Sequence, residues 1–470
     1  MTAIIRPHCF NGAVRVPASK SHTIRKLIIA TLADGLSEID HPLDSLDSRS
    51  CVSVCRALGA KIRERRGVDP LSANHPDENG EKLLGWTVRG IGADDLRTND
   101  SPASVPKRCN VGNSGTTLFL ALAAASLGRE PVEFDGDEQI RGRSAGSLLE
   151  ALASFGVSVR SAPGGCTPIT VCGPWKGGRA SLPCPTSQYL SALLLAAPLV
   201  PAGAVTEIDV PLLNERPYID MTLSYLNSQG IAYEAAPDYS YFRIPGQKNG
   251  RGSGWAPISG PVPADFSSAA FPAAAAAISG GKVTLLGLDP NDTQGDKAFF
   301  GFLREMGCTV EWEKLPPAKG RGTAEWRLTV SRSRPLTSGE FDLNDTPDLL
   351  PAMAAVACFA RGDTALVNAA HARIKETDRI AVMAEELAKL GFRVSERPDG
   401  LIISGSGGIP ANPAANDCGL VETDSRQDHR IAMALAAAAL GSTQPVEIAG
   451  AECADVTYPL FMELLGADLV

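Results

Sequence analysis

The chain has no C-x-x-C pair, no H-x-x-x-H spacing and no G-x-x-x-x-G-K-[ST] loop, and each absence removes a class of protein. Its eleven cysteines are odd in number and scattered, which suits reduced thiols in a cytoplasm rather than a disulfide framework. Cys51 and Cys55 stand one helical turn apart and read as packing partners. The six histidines show no metal-ligand spacing, so no structural zinc is expected. No convincing G-x-G-x-x-G follows a strand, which leaves nucleotide folds little support. The apolar runs Ala269–Ile278 and Ala432–Leu440 are too short to span a bilayer and read as buried helices. The N-terminus lacks a signal-peptide pattern. Positive charge is not in excess either: 44 Lys and Arg face 53 Asp and Glu, a net charge of −9. Nucleic acid and anionic membranes are therefore not expected partners. An anionic ligand would need its cations gathered locally.

With 470 residues, 44% hydrophobic and 21% charged, the chain has the composition of a globular protein and length for two or more domains. Its strongest organisational signal is an internal repeat. A helix pattern ending in glycine, followed by an apolar strand start, recurs at Gly59, Gly156, Gly230, Gly307, Gly391 and Gly466. Glycine just past a helix is the usual left-handed stop. The first gap is the longest and contains Arg66–Ser104, rich in Pro, Asn, Asp and Gly, which reads as an excursion from the repeat. Each repeat holds two helices, with strand-like runs such as Leu182–Pro183, Val205–Val210, Lys282–Leu286 and Ala365–Asn368 between them. The pattern reads as α/β, each copy roughly βαβαββ.

The polar residues worth notice fall mostly at helix starts. In Val16–Lys26 an extended Val-Pro run ends in a small polar cap, and Ile24, Leu27, Ile28 and Leu32 then follow with helical spacing until Asp34-Gly35. Lys20 and Ser21 thus sit where backbone N–H groups are unpaired and the helix dipole is positive, with Arg25 one turn along on the same face. A cation, a hydroxyl and free amides suit a phosphate. Further first helices are expected to start at Asn113–Thr116, Thr186–Gln188, Asp265–Ser268, Asp348 and Asp428–Arg430. Many such N-termini aimed at one cleft would let an acidic protein hold polyanions. Two matching hinges, Val16-Pro17-Ala18 and Val262-Pro263-Ala264, divide the chain into residues 1–17 with 263–470, and residues 18–262. Gly246–Gly254, Lys314–Thr323 and Gly405–Asn416 read as surface loops.

In combination these motifs resemble the EPSP synthase (3-phosphoshikimate 1-carboxyvinyltransferase) family across nearly the whole chain. The matching runs are Lys20-Ser21-x-x-x-Arg25, Gly112–Thr116, Gly136-Asp137-Glu138 with Arg143, Thr186-Ser187-Gln188, Pro217–Asp220, Asp265–Ser268, Thr293–Asp296, Pro347-Asp348, Lys375–Arg379 and Asp428–Arg430. The Lys375-Glu376-Thr377-Asp378-Arg379 run argues against the related UDP-N-acetylglucosamine enolpyruvyl transferases. The resemblance implies two domains, each of three βαβαββ units about a pseudo-threefold axis, closing over phosphoenolpyruvate and shikimate 3-phosphate. It implies transfer of the enolpyruvyl group to the 5-hydroxyl of the acceptor, with release of phosphate and no cofactor or metal. A base must take the hydroxyl proton, an acid must protonate the methylene carbon, and fixed cations must hold the anions.

By this resemblance Asp348 is the base and Glu376 the acid, with Lys20 and His429 completing the catalytic set. Read from spacing alone, Asp348 also fits a helix cap and Glu376 a dipole partner. Lys20, Ser21, Arg25, Thr186, Ser187, Gln188, Asp348 and Lys375 would hold shikimate 3-phosphate. Lys20, Asn113, Gly115, Arg143, Gln188, Arg379 and Arg430 would hold phosphoenolpyruvate, and Tyr218 would pack near the shikimate ring. Four positions depart from the family pattern. Phe119 stands where an arginine is usual, Val456 where a lysine is usual, Glu215 where a phosphate-contacting serine is common, and His371 where an asparagine is common. A Glu beside a phosphate is unfavourable, so Glu215 must point away, pair with a cation such as Arg216, or mark another ligand. Three readings follow: a working EPSP synthase, an enolpyruvyl transferase for another acceptor, or a non-catalytic binding paralogue. A cytoplasmic monomer is expected.

Overall fold

The computed structural model describes residues 1–69, 74, 76, 79–92, 105–247, 254–316, 325–408 and 419–470. Parts of the four segments read above as an excursion or loops lie outside the described residues. The chain forms two compact units. The terminal unit comprises Met1–Ser19 and Pro263–Val470; the central unit comprises most of Lys20–Val262.

Among the described residues, six four-stranded sheets carry the repeat, three in each unit, all with one topology. An edge strand runs parallel to its neighbour, and two further strands follow antiparallel. In one terminal-unit sheet Glu340–Asp342 pairs parallel with Arg361–Val367, which pairs antiparallel with Gly400–Ser406, itself antiparallel to Arg393–Arg397. Alternating burial along strands such as Val132–Asp135 and Lys282–Leu286 gives each sheet one face toward helices.

The hinge strands do not belong to the repeat whose first helix follows them. Asn11–Arg15 precedes the helix Lys20–Leu32, yet it pairs parallel with Lys282–Leu286 of the terminal unit. Ser259–Pro261 precedes the helix Phe266–Ser279, yet it pairs parallel with Leu36–Asp40 of the central unit. Lys26 anchors the latter strand by donating to the carbonyls of Gly260 and Pro261 at 3.0 and 2.7 Å. Within the terminal unit the two hinge segments bond to each other: Ser19 N–H donates to Pro263 O, and Asp265 N–H to Pro17 O. Proline, which brings no N–H, serves here as acceptor. The N-terminal strand Thr2–Ile5 completes the sixth repeat's sheet, between Val446–Ala449 and Asp468–Leu469.

One sequence expectation is corrected. Arg66–Ser104 is not wholly an excursion, because Lys82–Arg89 is an inner strand of the first repeat's sheet. Its Leu83, Trp86 and Val88 are buried, which is the apolar content that draws it into the sheet.

The first helices of the repeats form the inner layer. In the terminal unit Phe266–Ser279, Leu350–Ala357 and His429–Ala439 pack mutually and bury nearly every side chain. Their alanines suit this position, since Ala favours helix and lets backbones approach closely. In the central unit Gly115–Ala125 packs on both Lys20–Leu32 and Gln188–Ala196. Cys51 and Cys55 do pack as helix neighbours, with sulfurs 3.9 Å apart in Leu46–Leu58.

Candidate active site

In the terminal unit the sequence-predicted groups converge on one buried guanidinium. Arg379 opens the helix Arg379–Lys389, is 1% exposed, and serves three carboxylates. Its Nη1 donates to Asp348 Oδ1 at 2.7 Å, its Nη2 to Glu376 Oε2 at 2.5 Å and its Nε to Asp428 Oδ2 at 2.8 Å. Arg430 Nη2 donates to the other Asp348 oxygen at 3.0 Å, and Lys375 Nζ lies 3.8 Å from Asp348 Oδ1. Six charged groups therefore balance, three of each sign.

The local folding explains the convergence. Asp348 lies in the short turn Pro347–Leu349 that leads into Leu350–Ala357. The helix-cap reading of Asp348 fails, because the helix has no side-chain cap and both carboxylate oxygens face arginines. Asp378 caps Arg379–Lys389 by accepting from Ala381 N–H at 3.0 Å, which frees Arg379 to turn inward. Asp428 caps His429–Ala439, accepting from Arg430 N–H at 2.9 Å while its second oxygen accepts from Arg379 and from Thr377 Oγ1. His429, the first residue of that helix, is 2% exposed.

Burial alone would push the Asp348 carboxyl up. The charges of Arg430, Lys375 and Arg379 overcome it and hold the group well below the usual carboxylate range. Burial likewise opposes the charge on Arg379, but Asp428, Glu376 and Asp348 fix the guanidinium in its protonated form. Asp296 behaves oppositely. Burial, then the Asp348 charge, pushes it up to about 7. The Ser267 hydroxyl donates to it.

In the central unit the start of Gln188–Ala196 is the hub. Glu215 Oε2 accepts from Thr186 Oγ1 at 3.1 Å, Ser187 N–H at 3.0 Å and Ser187 Oγ at 2.8 Å. One turn on, Ser191 Oγ accepts from Arg25 Nη2 at 3.1 Å. Arg25 is 1% exposed and also donates to Thr222 Oγ1, Ser21 O and Tyr218 O. Burial lowers its pKa to about 10, which still leaves it charged at neutral pH; Tyr225, Tyr218 and Glu215 act the other way. Lys20 Nζ pairs with Asp47 at 3.1 Å.

Beside this hub, Gly115 admits Arg143. A Cβ at position 115 would stand 2.6 Å from Arg143 Nη1 and 3.7 Å from Gln188 Oε1. Arg143 Nη2 also donates to Asn113 Oδ1 at 3.5 Å, a long contact, and Asn113 Nδ2 donates to Gln139. Apart from Arg25, one turn into Lys20–Leu32, the predicted site residues sit at helix starts or in segments bordering them. Sequence reasoning did not assign roles to Asp47, Asp296 or Asp428. For Asp428 the signal was present, an Asp placed to cap a helix that opens His-Arg.

The family model for "EPSP synthase (3-phosphoshikimate 1-carboxyvinyltransferase)" matches residues 6–81 and 82–465. The chain is 42% identical to the 3-phosphoshikimate 1-carboxyvinyltransferase of Acetivibrio thermocellus, over 99% of this chain and 98% of that one. It belongs to the EPSP synthase family. Among solved structures, EPSP synthase from Acinetobacter baumannii superposes with a TM-score of 0.74 at 26% identity, covering 99% of this chain and 97% of that one. The enolpyruvyl transferase NikO from Streptomyces tendae shares the fold, with a TM-score of 0.70 at 19% identity, over 99% and 97% of the two chains.

For an EPSP synthase relative the four departures are of different kinds. Phe119 is buried and packs edge-on to Tyr189, ring centroids 5.0 Å apart, so it serves the core. Val456 ends the short turn Ala451–Val456 and is half-buried. His371 is buried in Ala370–Ile374. Glu215 does not pair with Arg216, whose guanidinium donates to Pro237 O and lies 4.2 Å from the centre of the Tyr239 ring. Instead it turns onto Thr186 and Ser187.

Proposed function

We propose that the chain is a working EPSP synthase: it moves the enolpyruvyl group of phosphoenolpyruvate to the 5-hydroxyl of shikimate 3-phosphate and releases phosphate. The observation that carries the reading is that Asp348 and Glu376, the two carboxylates needed for proton transfer, share one buried guanidinium, Arg379. Asp348 is the base for the acceptor hydroxyl, and Glu376 protonates the methylene carbon. Both reverse roles when phosphate leaves.

The electrostatics suggest how the base is switched on. In the free protein Arg430, Lys375 and Arg379 hold Asp348 ionised, and so strongly that it is a weak base. Substrate phosphate and carboxylate groups that take a share of Arg430 and Lys375 raise its basicity. Lys20, Ser21, Arg25, Thr186, Ser187, Gln188 and Lys375 bind the phosphorylated acceptor, and Lys20, Asn113, Gly115, Arg143, Gln188, Arg379 and Arg430 bind phosphoenolpyruvate. His429 assists near the transferring group. Arginine suits these tasks because its planar fork grips carboxylate and phosphate oxygens in pairs.

A second reading, an enolpyruvyl transferase for a different acceptor, is favoured by Glu215, a carboxylate on donors assigned here to a phosphate. The test is phosphate release by the purified chain with phosphoenolpyruvate and a panel of hydroxylated acceptors. Turnover that requires shikimate 3-phosphate and yields the enolpyruvyl ether supports the first reading. Turnover with a non-phosphorylated acceptor alone supports the second. Among the described residues no helix is long and apolar enough to cross a membrane; we place the protein in the cytoplasm, as a monomer.

A further inference from the structure

Glu215 is 1% exposed, and its backbone is left-handed (φ 59°), a conformation uncommon for a residue with a side chain. From there its carboxylate takes the Thr186 hydroxyl, the Ser187 hydroxyl and the Ser187 N–H. Proton counting gives this arrangement a consequence. A serine or threonine hydroxyl has a single proton, and a backbone amide has one. All three protons here point at Glu215. The two hydroxyls then offer an approaching ligand only lone pairs, while a phosphate needs donors. Arg25, the fully buried cation nearby, already donates to Thr222, Ser21, Ser191 and Tyr218.

We propose that Glu215 is a resident anion that competes with the acceptor's phosphate for the Thr186–Ser187 donors, and so sets how strongly this enzyme prefers a phosphorylated acceptor. The inference rests on the assignment of Thr186 and Ser187 to that phosphate. Binding then requires the Glu215 carboxylate to withdraw from the three donors. Its removal strengthens phosphate binding, the opposite of what loss of a structural hydrogen-bond partner would do.

The experiment compares affinities of the whole chain for shikimate 3-phosphate and for unphosphorylated shikimate by calorimetry. It uses the wild type, Glu215→Ser, which frees the donors, and Glu215→Gln, which removes the charge at nearly constant shape. The ratio of the two affinities should rise about tenfold or more in Glu215→Ser and by a smaller factor in Glu215→Gln, in proportion to the donors released. The gain should disappear when Ser187→Ala is added to Glu215→Ser. An unchanged or lower ratio in Glu215→Gln, with its melting curve intact, overturns the proposal even if Glu215→Ser does not fold. The site assignment is read separately, from Thr186→Ala and Ser187→Ala in the wild-type background. If these weaken shikimate 3-phosphate binding but the Glu215 variants do not strengthen it, the competition is wrong and the assignment stands. If they leave binding unchanged in both backgrounds, the assignment fails and takes the competition with it.

Discussion

The terminal and central units use one repeat and one device, polar groups at helix starts, but they neutralise their charges differently. In the terminal unit Arg379 and Arg430 face carboxylates, and the cluster is balanced charge against charge. In the central unit Arg25 faces hydroxyls and carbonyls, and among the described residues no carboxylate lies within ion-pair distance of it. Glu215, at the hub, accepts from the neutral donors of Thr186 and Ser187. The difference matches a division of labour. Proton transfer needs carboxylates held ionised and oriented, which close arginines supply. Anion binding needs donors and cations; Arg25 keeps its charge among neutral acceptors, whereas Lys20 shares its charge with Asp47.

The comparison breaks most sharply at the proposed proton-transfer pair, Asp348 and Glu376. Glu376→Gln and Asp348→Asn should each lower turnover by about 10²–10⁴-fold, the usual worth of a positioned acid or base, in a phosphate-release assay with both substrates. Normal rates in both would remove their roles. Next in size is Arg379→Met, which leaves Asp348, Glu376 and Asp428 without their shared cation. A loss of about 3–5 kcal/mol in urea unfolding is expected, as for other broken buried pairs. Arg25→Met should cost less, because it strands neutral acceptors rather than charges. Equal losses for the two arginines would erase the distinction drawn between the units.

Asp296 sharpens the comparison through pH. Its folded-state pKa is raised to about 7, so the folded protein binds the proton more tightly than the unfolded chain does. Its contribution is therefore neutral below the ordinary carboxylate range, turns unfavourable as pH rises from about 4 to 7, and stays unfavourable above that. Asp296→Asn, which mimics the protonated acid, should raise the melting temperature by a few degrees at pH 8 and change it little at pH 4. A rise of equal size at both pH values would assign the effect to packing. The smallest effect is expected at Gly115→Ala. The new methyl displaces the tip of a flexible side chain, Arg143 Nη1, from 2.6 Å. The KM for phosphoenolpyruvate should rise by about three- to tenfold with little change in melting temperature, since a displaced arginine weakens a charge-assisted contact.

Much of the fold was legible because glycine stops and capping residues act locally. The helix Lys20–Leu32 begins and ends where its Ser-Lys start and Asp-Gly stop place it, and the strand Lys282–Leu286 coincides with its apolar run. What was not legible depended on distant partners. Lys82–Arg89 follows a polar segment, and only pairing with Leu36–Asp40 and Lys61–Gly67 makes it an inner strand. The hinge strands look like preludes to the helices after them, but hydrogen bonding assigns them to sheets far away in sequence. The site was legible as a set of residue types at helix starts. Partners such as Asp47 and Glu215 were not, because they act through side-chain direction, which spacing does not specify. Glu215 illustrates this best, since its neighbour Arg216 was the obvious partner in sequence and lies on Tyr239 instead.

The central claim is that Glu376 delivers the proton to the methylene carbon while Asp348 takes one from the acceptor. It is tested most directly by running the reaction in deuterated water with shikimate 3-phosphate and reading deuterium in the methylene group of recovered phosphoenolpyruvate and product by mass spectrometry. The wild type should incorporate solvent deuterium there, and Glu376→Gln should lose that incorporation together with phosphate release. Deuterium entering at the wild-type rate in Glu376→Gln would contradict the account.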